Sequence, residues 1–372
     1  MKTRRIKTIL LFLSTMPFIG IYAQSIYYVS PHASSGGDGG PATPFHIIHE
    51  AVEKARKDKN CTTIYLREGE YFLDTPLVLT SADGNDSKEL IIRNYPGEKA
   101  IISSGITLDL KWEKYKNGIM RAAVKGNPVM DMLIVNGDLR SMARYPDYDK
   151  TAVRFNGTSA LATVPERVKK WKNPEGGYLH AMHSHDWGDF HYRITGKNEK
   201  GELQLEGGWQ NNRPMGIHPE NRMVENIFEE LDAPGEWYYD KQEGWLYYYP
   251  LSDENINELV FETPQLKNLI EIAGTSSHPV KNITIEGIEL TQTIRTFMEH
   301  YEPLLRSDWT IYRGGAVIFR GTEKCTLRDC YIHHVGGNGV FFDKYNRNSA
   351  VTGSYLTSIG ASAICFVGDV AG

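Results

Sequence analysis

Toward the end of the chain, short runs of alternating apolar and polar residues recur at a fixed interval. Leu327-Arg328-Asp329-Cys330-Tyr331-Ile332 aligns with Val351-Thr352-Gly353-Ser354-Tyr355-Leu356 at an offset of 24, and Val335, Gly336, Asn338, Val340 and Phe342 match Ile359, Gly360, Ser362, Ile364 and Phe366. An earlier copy, Ile283-Thr284-Ile285 and Ile288-Glu289-Leu290, aligns with Cys325-Thr326-Leu327 and Cys330-Tyr331-Ile332 at an offset of 42. The difference is an insertion of about 18 residues, around Thr293 to Arg313, of the kind a surface loop absorbs at little entropic cost. After it, Val317 and Phe319 take the places of Val340 and Phe342.

Period-2 alternation over three or four residues, closed by Gly, Asn or Asp, specifies strands and turns. One such turn of chain cannot bury its own inner face, so neighbours must stack, placing Tyr331 on Tyr355 and Phe342 on Phe366. The expectation is an all-β protein, a right-handed parallel β-helix. A leucine-rich repeat is excluded by the missing Leu/Asn consensus.

At the other end, Ile26–Ser30, Thr63–Leu66, Leu77–Leu79 and Leu90–Ile92 read as earlier coil strands. Thr43-Pro44 predicts a helix over Phe45–Lys57 with Pro in its first turn, and Ile47, Ala51, Val52 and Ala55 on the face that caps the open end of the stack. From about Thr107 to Gln265 the repeat is lost and tryptophans accumulate (Trp112, Trp171, Trp187, Trp209, Trp237, Trp245). Trp237-Tyr238-Tyr239 and Trp245-Leu246-Tyr247 flank a turn and predict an antiparallel hairpin. This segment reads as an inserted sandwich-like or barrel-like β-domain whose aromatics are mostly core.

The N-terminus divides off a further segment. Lys2, Arg4, Arg5 and Lys7 precede an apolar run, Ile9 to Ile21, that is too short and broken to span a bilayer, and Ala23 offers a cleavage point. The organisation expected is therefore a signal peptide at 1–23, coils and cap at 24–106, the inserted domain at 107–265, and further coils at 266–372. The chain stops three residues after Asp369 with no capping helix, so a longer protein is expected. Export would place the protein in the periplasm, on the cell surface or outside the cell, with no membrane segment after cleavage.

Composition narrows the partners. Hydrophobic residues make up 41%, charged residues 23%, and net charge is −5 with no basic block, which argues against nucleic acid. Cys61, Cys325, Cys330 and Cys365 lack zinc-site spacing; an oxidising compartment permits a disulfide, but buried thiols are the preferred reading. His180, His183, His185, Asp186 and His191 cluster without a metal-binding frame, and neither a metal nor another cofactor is expected. The chain is expected to act as a monomer.

Several strings are specific enough to carry a resemblance: Asn226-IFEELDAPGEWYYD-Lys241, Arg295-TFMEHYEPLLRSDWTIYRGGAVIF-Arg320, Val335-GGNGVFF-Asp343, Tyr345-Asn346-Arg347 and Ala363-ICFVGD-Val370. The sequence resembles the β-helix enzymes of glycoside hydrolase family 141 and their close relatives. The resemblance implies a pectin-lyase-like fold with an added β-domain. It also implies hydrolysis of plant polysaccharide, as an α-L-fucosidase on complex pectin or as a xylanase. The family's catalytic carboxylates lie in later coils, so none is carried onto this chain.

Glycoside hydrolysis requires one protonated and one ionised carboxyl group. Asp343 and Asp369 end adjacent coils and are weak candidates for the rim of a groove; local turn formation explains them as well. The inserted loop adds Glu299, Glu302, Arg306, Asp308, Trp309 and Arg313. Arg306 and Arg313 suit uronate recognition, or pairing with Glu302 and Asp308. Arg347 is a further binding candidate. His333 and His334, adjacent in a strand, are expected to point to opposite faces. The competing functions are a polysaccharide lyase of the same fold and a non-catalytic carbohydrate-binding protein.

Overall fold

The computed structural model describes residues 24–212, 216–303 and 310–369. Residues 1–23, where a signal peptide is expected, and Arg306, Asp308 and Trp309 lie outside the described residues.

Three parallel sheets form the body. Among the described residues, sheet A contains Gln24–Val29, Cys61–Leu66, Leu90–Asn94, Ile283–Glu286, Thr326–Arg328 and Ala350–Thr352; sheet B contains Gly69–Phe72, Ala100–Ser103, Glu289–Thr293, Tyr331–Val335 and Tyr355–Leu356. Sheet C contains Leu77–Leu79, Ile270–Ala273, Val317–Glu323, Val340–Arg347 and Ile364–Val367, with Val280–Lys281 beside it. The chain visits A, B and C in turn and returns to A one strand higher. Register follows the sequence repeat: Tyr331 pairs with Tyr355, Phe342 with Phe366, Phe319 with Phe342, and Leu290 with Ile332. The rings of Phe319, Phe342 and Phe366 stack at 4.6 and 4.4 Å, and Tyr331 on Tyr355 at 5.6 Å. Inward residues of all three sheets form one continuous core with Cys325 and Cys330, and the four cysteines are free thiols.

The corners of the coil repeat as regularly as the strands. Left-handed backbone recurs at Asn282, Lys324 and Asn348, at Gly287, Asp329 and Gly353, and at Gln292, His334 and Ser358. Each set lies at the 42- and 24-residue offsets, so the three coils between Asn282 and Ser358 turn at three stacked points. Left-handed non-glycine residues are costly individually, and here packed strands on both sides hold them. One expectation fails for this reason. His334 is a corner with φ +49, which folds its side chain back beside His333, and their Nδ1 atoms lie 3.0 Å apart instead of on opposite faces.

The helix spans Ile48–Lys57, starting later than predicted. Phe45 bridges in parallel to Val29, with Phe45 N–H donating to Tyr28 O and Ser30 N–H to Phe45 O, which keeps Phe45 out of the helix. The buried face is therefore Ile48, Ala51, Val52 and Ala55; Ile47 is exposed. That face covers Val29 and the first coil.

Between Gly105 and Pro264 the strands are antiparallel. Gly105–Thr107, Leu133–Val135, Asp138–Arg140 and Phe261–Pro264 make one sheet, and Glu113–Lys116, Ile119–Ala123, Trp237–Asp240 and Trp245–Tyr248 a second, including the predicted hairpin. These two enclose a core with Trp237, Tyr248 and Phe261. A third sheet, built on Tyr178–His183, Asp189–Lys197 and Ile217–Glu225, has its own core around Trp171. Trp187 and Trp209 stay substantially exposed, as do Tyr115 and Tyr148. Both this segment and the loop after Thr293 leave the coil between sheets B and C.

Candidate functional site

On the outer face of sheet C, alternation turns Glu271, Arg320 and Asp343 outward. Asp343 is 2% exposed, and each of its oxygens is held by a guanidinium: Arg313 Nη1 at 2.6 Å and Arg320 Nε at 2.7 Å. Arg313 also donates to Glu302 at 2.7 Å and to the carbonyl of Gly368 at 3.1 Å, while Arg320 reaches Glu271 at 2.8 Å. Burial opposes the Arg313 charge, yet Glu302 and Asp343 outweigh it and raise its pKa. This network joins Glu302, Arg313 and Asp343, and ties the inserted loop to the coil. Asp369 lies two residues past Val367, the partner of Asp343, and is exposed; Arg347 is exposed at the end of its strand. With each oxygen held by a guanidinium, Asp343 is an ion-pair hub between the inserted loop and the coil.

A second network joins the loop to the antiparallel segment. Arg295 donates to Asp131 from Nε (3.1 Å) and Nη2 (2.9 Å), and its Nη1 donates to Glu225. Glu225 also meets His180 Nε2 at 3.1 Å, and His180 Nδ1 lies 2.7 Å from His191 Nδ1. Burial alone would raise the Glu225 pKa; Arg295 and His180 reverse this and hold it well below the usual carboxylate range. Burial depresses His180, keeping it neutral. Two members of the histidine cluster thus join this network through hydrogen bonds, and Asp186 pairs with Arg154 at 2.9 Å. Among the described residues no group of three or more His, Cys, Asp or Glu is disposed to hold a metal ion.

The third cluster carries the chemistry of interest. Outward positions in sheet B run in register from Glu70 through Ile101, Glu289 and Tyr331 to Tyr355. The antiparallel sheet holding Glu262 faces them, with Gln292 Nε2 donating to Glu262 at 3.2 Å. Glu289 accepts from Lys99 Nζ at 2.7 Å and pairs with His333 Nε2 at 2.9 Å. Burial would raise the Glu289 pKa, but those two hydrogen bonds outweigh it, and the group lies below its ordinary value. Glu70 goes the other way: burial, then the charge of Glu262, raises it, with Glu289 adding to the effect. Glu262 is also raised, by burial. Beside them His333 stacks on Tyr331 at 4.3 Å, and Tyr331 and Tyr355 are 37% and 66% exposed. One sheet face therefore presents carboxyl groups biased to opposite protonation states, the requirement for paired acid and base work.

These carboxylates were not among the candidates drawn from the sequence. The 42-residue alignment already puts Glu289 in the Tyr331 column, a usable signal. Glu70 sits on Gly69–Phe72, a strand of four residues with no repeat partner in sequence, so nothing marked it.

No protein-family model matches the chain, and no curated protein does. Among solved structures, one described as a glycoside hydrolase superposes with a TM-score of 0.72 at 20% identity, over 89% of this chain and 65% of that one. A structure described as XylC in complex with xylose aligns at a TM-score of 0.42 and 14% identity, over 85% of this chain and 41% of the other. The lacto-N-biosidase of glycoside hydrolase family 136 from Eubacterium ramulus gives 0.31 and 9%, over 90% and 34%. The chain shares the fold of the first of these structures and spans just under two thirds of its length.

Proposed function

We propose that this chain belongs to an exported glycoside hydrolase that cleaves plant cell-wall glycan, pectic or hemicellulosic, at the outer face of sheet B. The reading takes the body as a right-handed parallel β-helix resembling family 141, with residues 107–265 as an inserted domain, and departs from what that resemblance implies in placing its carboxyl pair on the early strands of Glu70 and Glu289 rather than in later coils. The nearly universal right hand of parallel crossovers supports that handedness. The quoted sequence strings support the family, and the N-terminal charge and apolar pattern supports export. The observation that carries the function is the divergence at one face: Glu70 and Glu262 biased toward the neutral acid, Glu289 toward the carboxylate.

The test is release of reducing sugar by the full chain from 4-nitrophenyl α-L-fucoside, 4-nitrophenyl β-D-xyloside, xylan and pectic oligosaccharides. Hydrolysis is expected, falling about 100-fold or more in Glu70→Gln and in Glu289→Gln, the scale on which acid–base groups act. An ultraviolet-absorbing unsaturated product would reveal a lyase instead. Full activity in both variants would move the site elsewhere.

A further inference from the structure

We infer that hydrolysis at this face inverts the anomeric centre, with Glu289 as general base to a water seated over Ile101, Glu70 as general acid, and His333 as the residue that positions the base. The inference rests on the glycosidase reading above and adds the route by which the bond breaks.

Glu70 and Glu289 occupy the same register position on strands separated by one other, the strand of Ile101. Neighbouring strands stand about 4.8 Å apart, so the two side chains leave the sheet about 9.6 Å apart. That separation stands at the upper limit of the roughly 6.5–9.5 Å at which carboxyl groups leave room for a water between them and invert, and far from the roughly 5–5.5 Å of retention, at which one can bond to the sugar. An arrangement suited to retention would put the pair on adjacent strands, and the residue on the strand between them is Ile101, which cannot serve.

The surroundings of Glu289 favour a base over a nucleophile. Its oxygens are separately engaged, Oε1 by His333 and Oε2 by Lys99, fixing the carboxylate plane while leaving lone pairs to accept a proton from water. His333 is itself fixed, stacked on Tyr331 and set against the His334 corner. In the step, the water oxygen bonds to the anomeric carbon on the face opposite the leaving group, and its proton passes to Glu289. The glycosidic carbon–oxygen bond breaks with its electron pair going to the leaving oxygen, which takes the Glu70 proton. One water is consumed, and proton exchange with solvent restores both carboxyl groups.

Proton NMR of the wild-type chain acting on whichever substrate of the panel it cleaves records the first anomer released, before mutarotation. The inverted anomer supports the inference; the retained anomer overturns it and leaves the glycosidase reading standing. Absence of cleavage across the panel overturns both. A second measurement tests His333. In His333→Gln, checked for folding by its thermal midpoint, the acid limb of kcat/KM is expected to shift about 0.5–1 unit to higher pH, because a contact favouring the carboxylate is weakened. An unmoved limb would reduce His333 to a structural residue and remove that part of the proposal.

Discussion

At the residue scale, Glu236 shows how far environment can override composition. It is 3% exposed, its Oε2 receives only a long bond from Ala233 N–H (3.4 Å), and its Oε1 has no hydrogen-bond partner among the described residues. Burial, with the Asp147 and Asp232 charges adding to it, pushes its pKa up to about 8. The folded state thus holds a proton that the unfolded chain releases above about pH 4.5. The stability from that proton is fully present below pH 4.5 and is lost as pH rises toward 8. Urea melts at pH 5 and pH 8 should show the wild type losing up to about 3 kcal/mol more than Glu236→Gln over that interval. Equal losses would mean that Glu236 is ionised in the fold. None of this was legible in the sequence, where Glu236 is simply part of a conspicuous string; a protonation state depends on what closes over the side chain.

At the scale of the element, the strands of the last coils were legible because their alternation repeats at 24 residues with the same apolar set. The corners were legible only where chemistry marks them. Asn282 and Asn348 signal left-handed backbone, as do Gly287 and Gly353, but Gln292, His334 and Ser358 carry no such mark, so the His333–His334 geometry was missed. The column at Asn282, Lys324 and Asn348 offers a direct test. Lys324 is exposed and holds φ +53, a conformation asparagine tolerates better than lysine. Lys324→Asn should raise stability by roughly 0.5 kcal/mol, read as a higher thermal midpoint. Gly353→Ala should do the reverse. Its φ is +60, and an added Cβ would fall 2.0 Å from Asp329 Oδ1, so a loss of about 2 kcal/mol is expected. The helix start shows the same limit from another side: Pro44 suggested a first turn, but the pairing of Phe45 with Val29, remote in sequence, claimed that stretch for extended chain.

For the whole molecule, the joint between coil and antiparallel segment rests on Arg295, which spans Asp131 and Glu225. Arg295→Met would strand both acids in a dry setting, and a loss of about 3 kcal/mol is expected by denaturant unfolding. Because the Glu225 pKa is depressed, the stability it confers is present above about pH 4.5 and fades as pH falls through and below that value. An Arg295→Met/Glu225→Gln chain should therefore show a shallower acid slope than the wild type. The sequence disclosed that two architectures alternate along the chain, but not that Arg295 would lock them, since its partners lie some 70 and 160 positions away. That alternation also governs how the chain can fold. Strand Leu90–Asn94 must find Ile283–Glu286 across roughly two hundred intervening residues, whereas the later coils close over about two dozen. The longer closure costs about 2 kcal/mol more in chain entropy. Nucleation accordingly belongs to the coils after Ile283, where contact order is low, and the early coils dock onto them once the intervening sheets have collapsed and drawn their ends together.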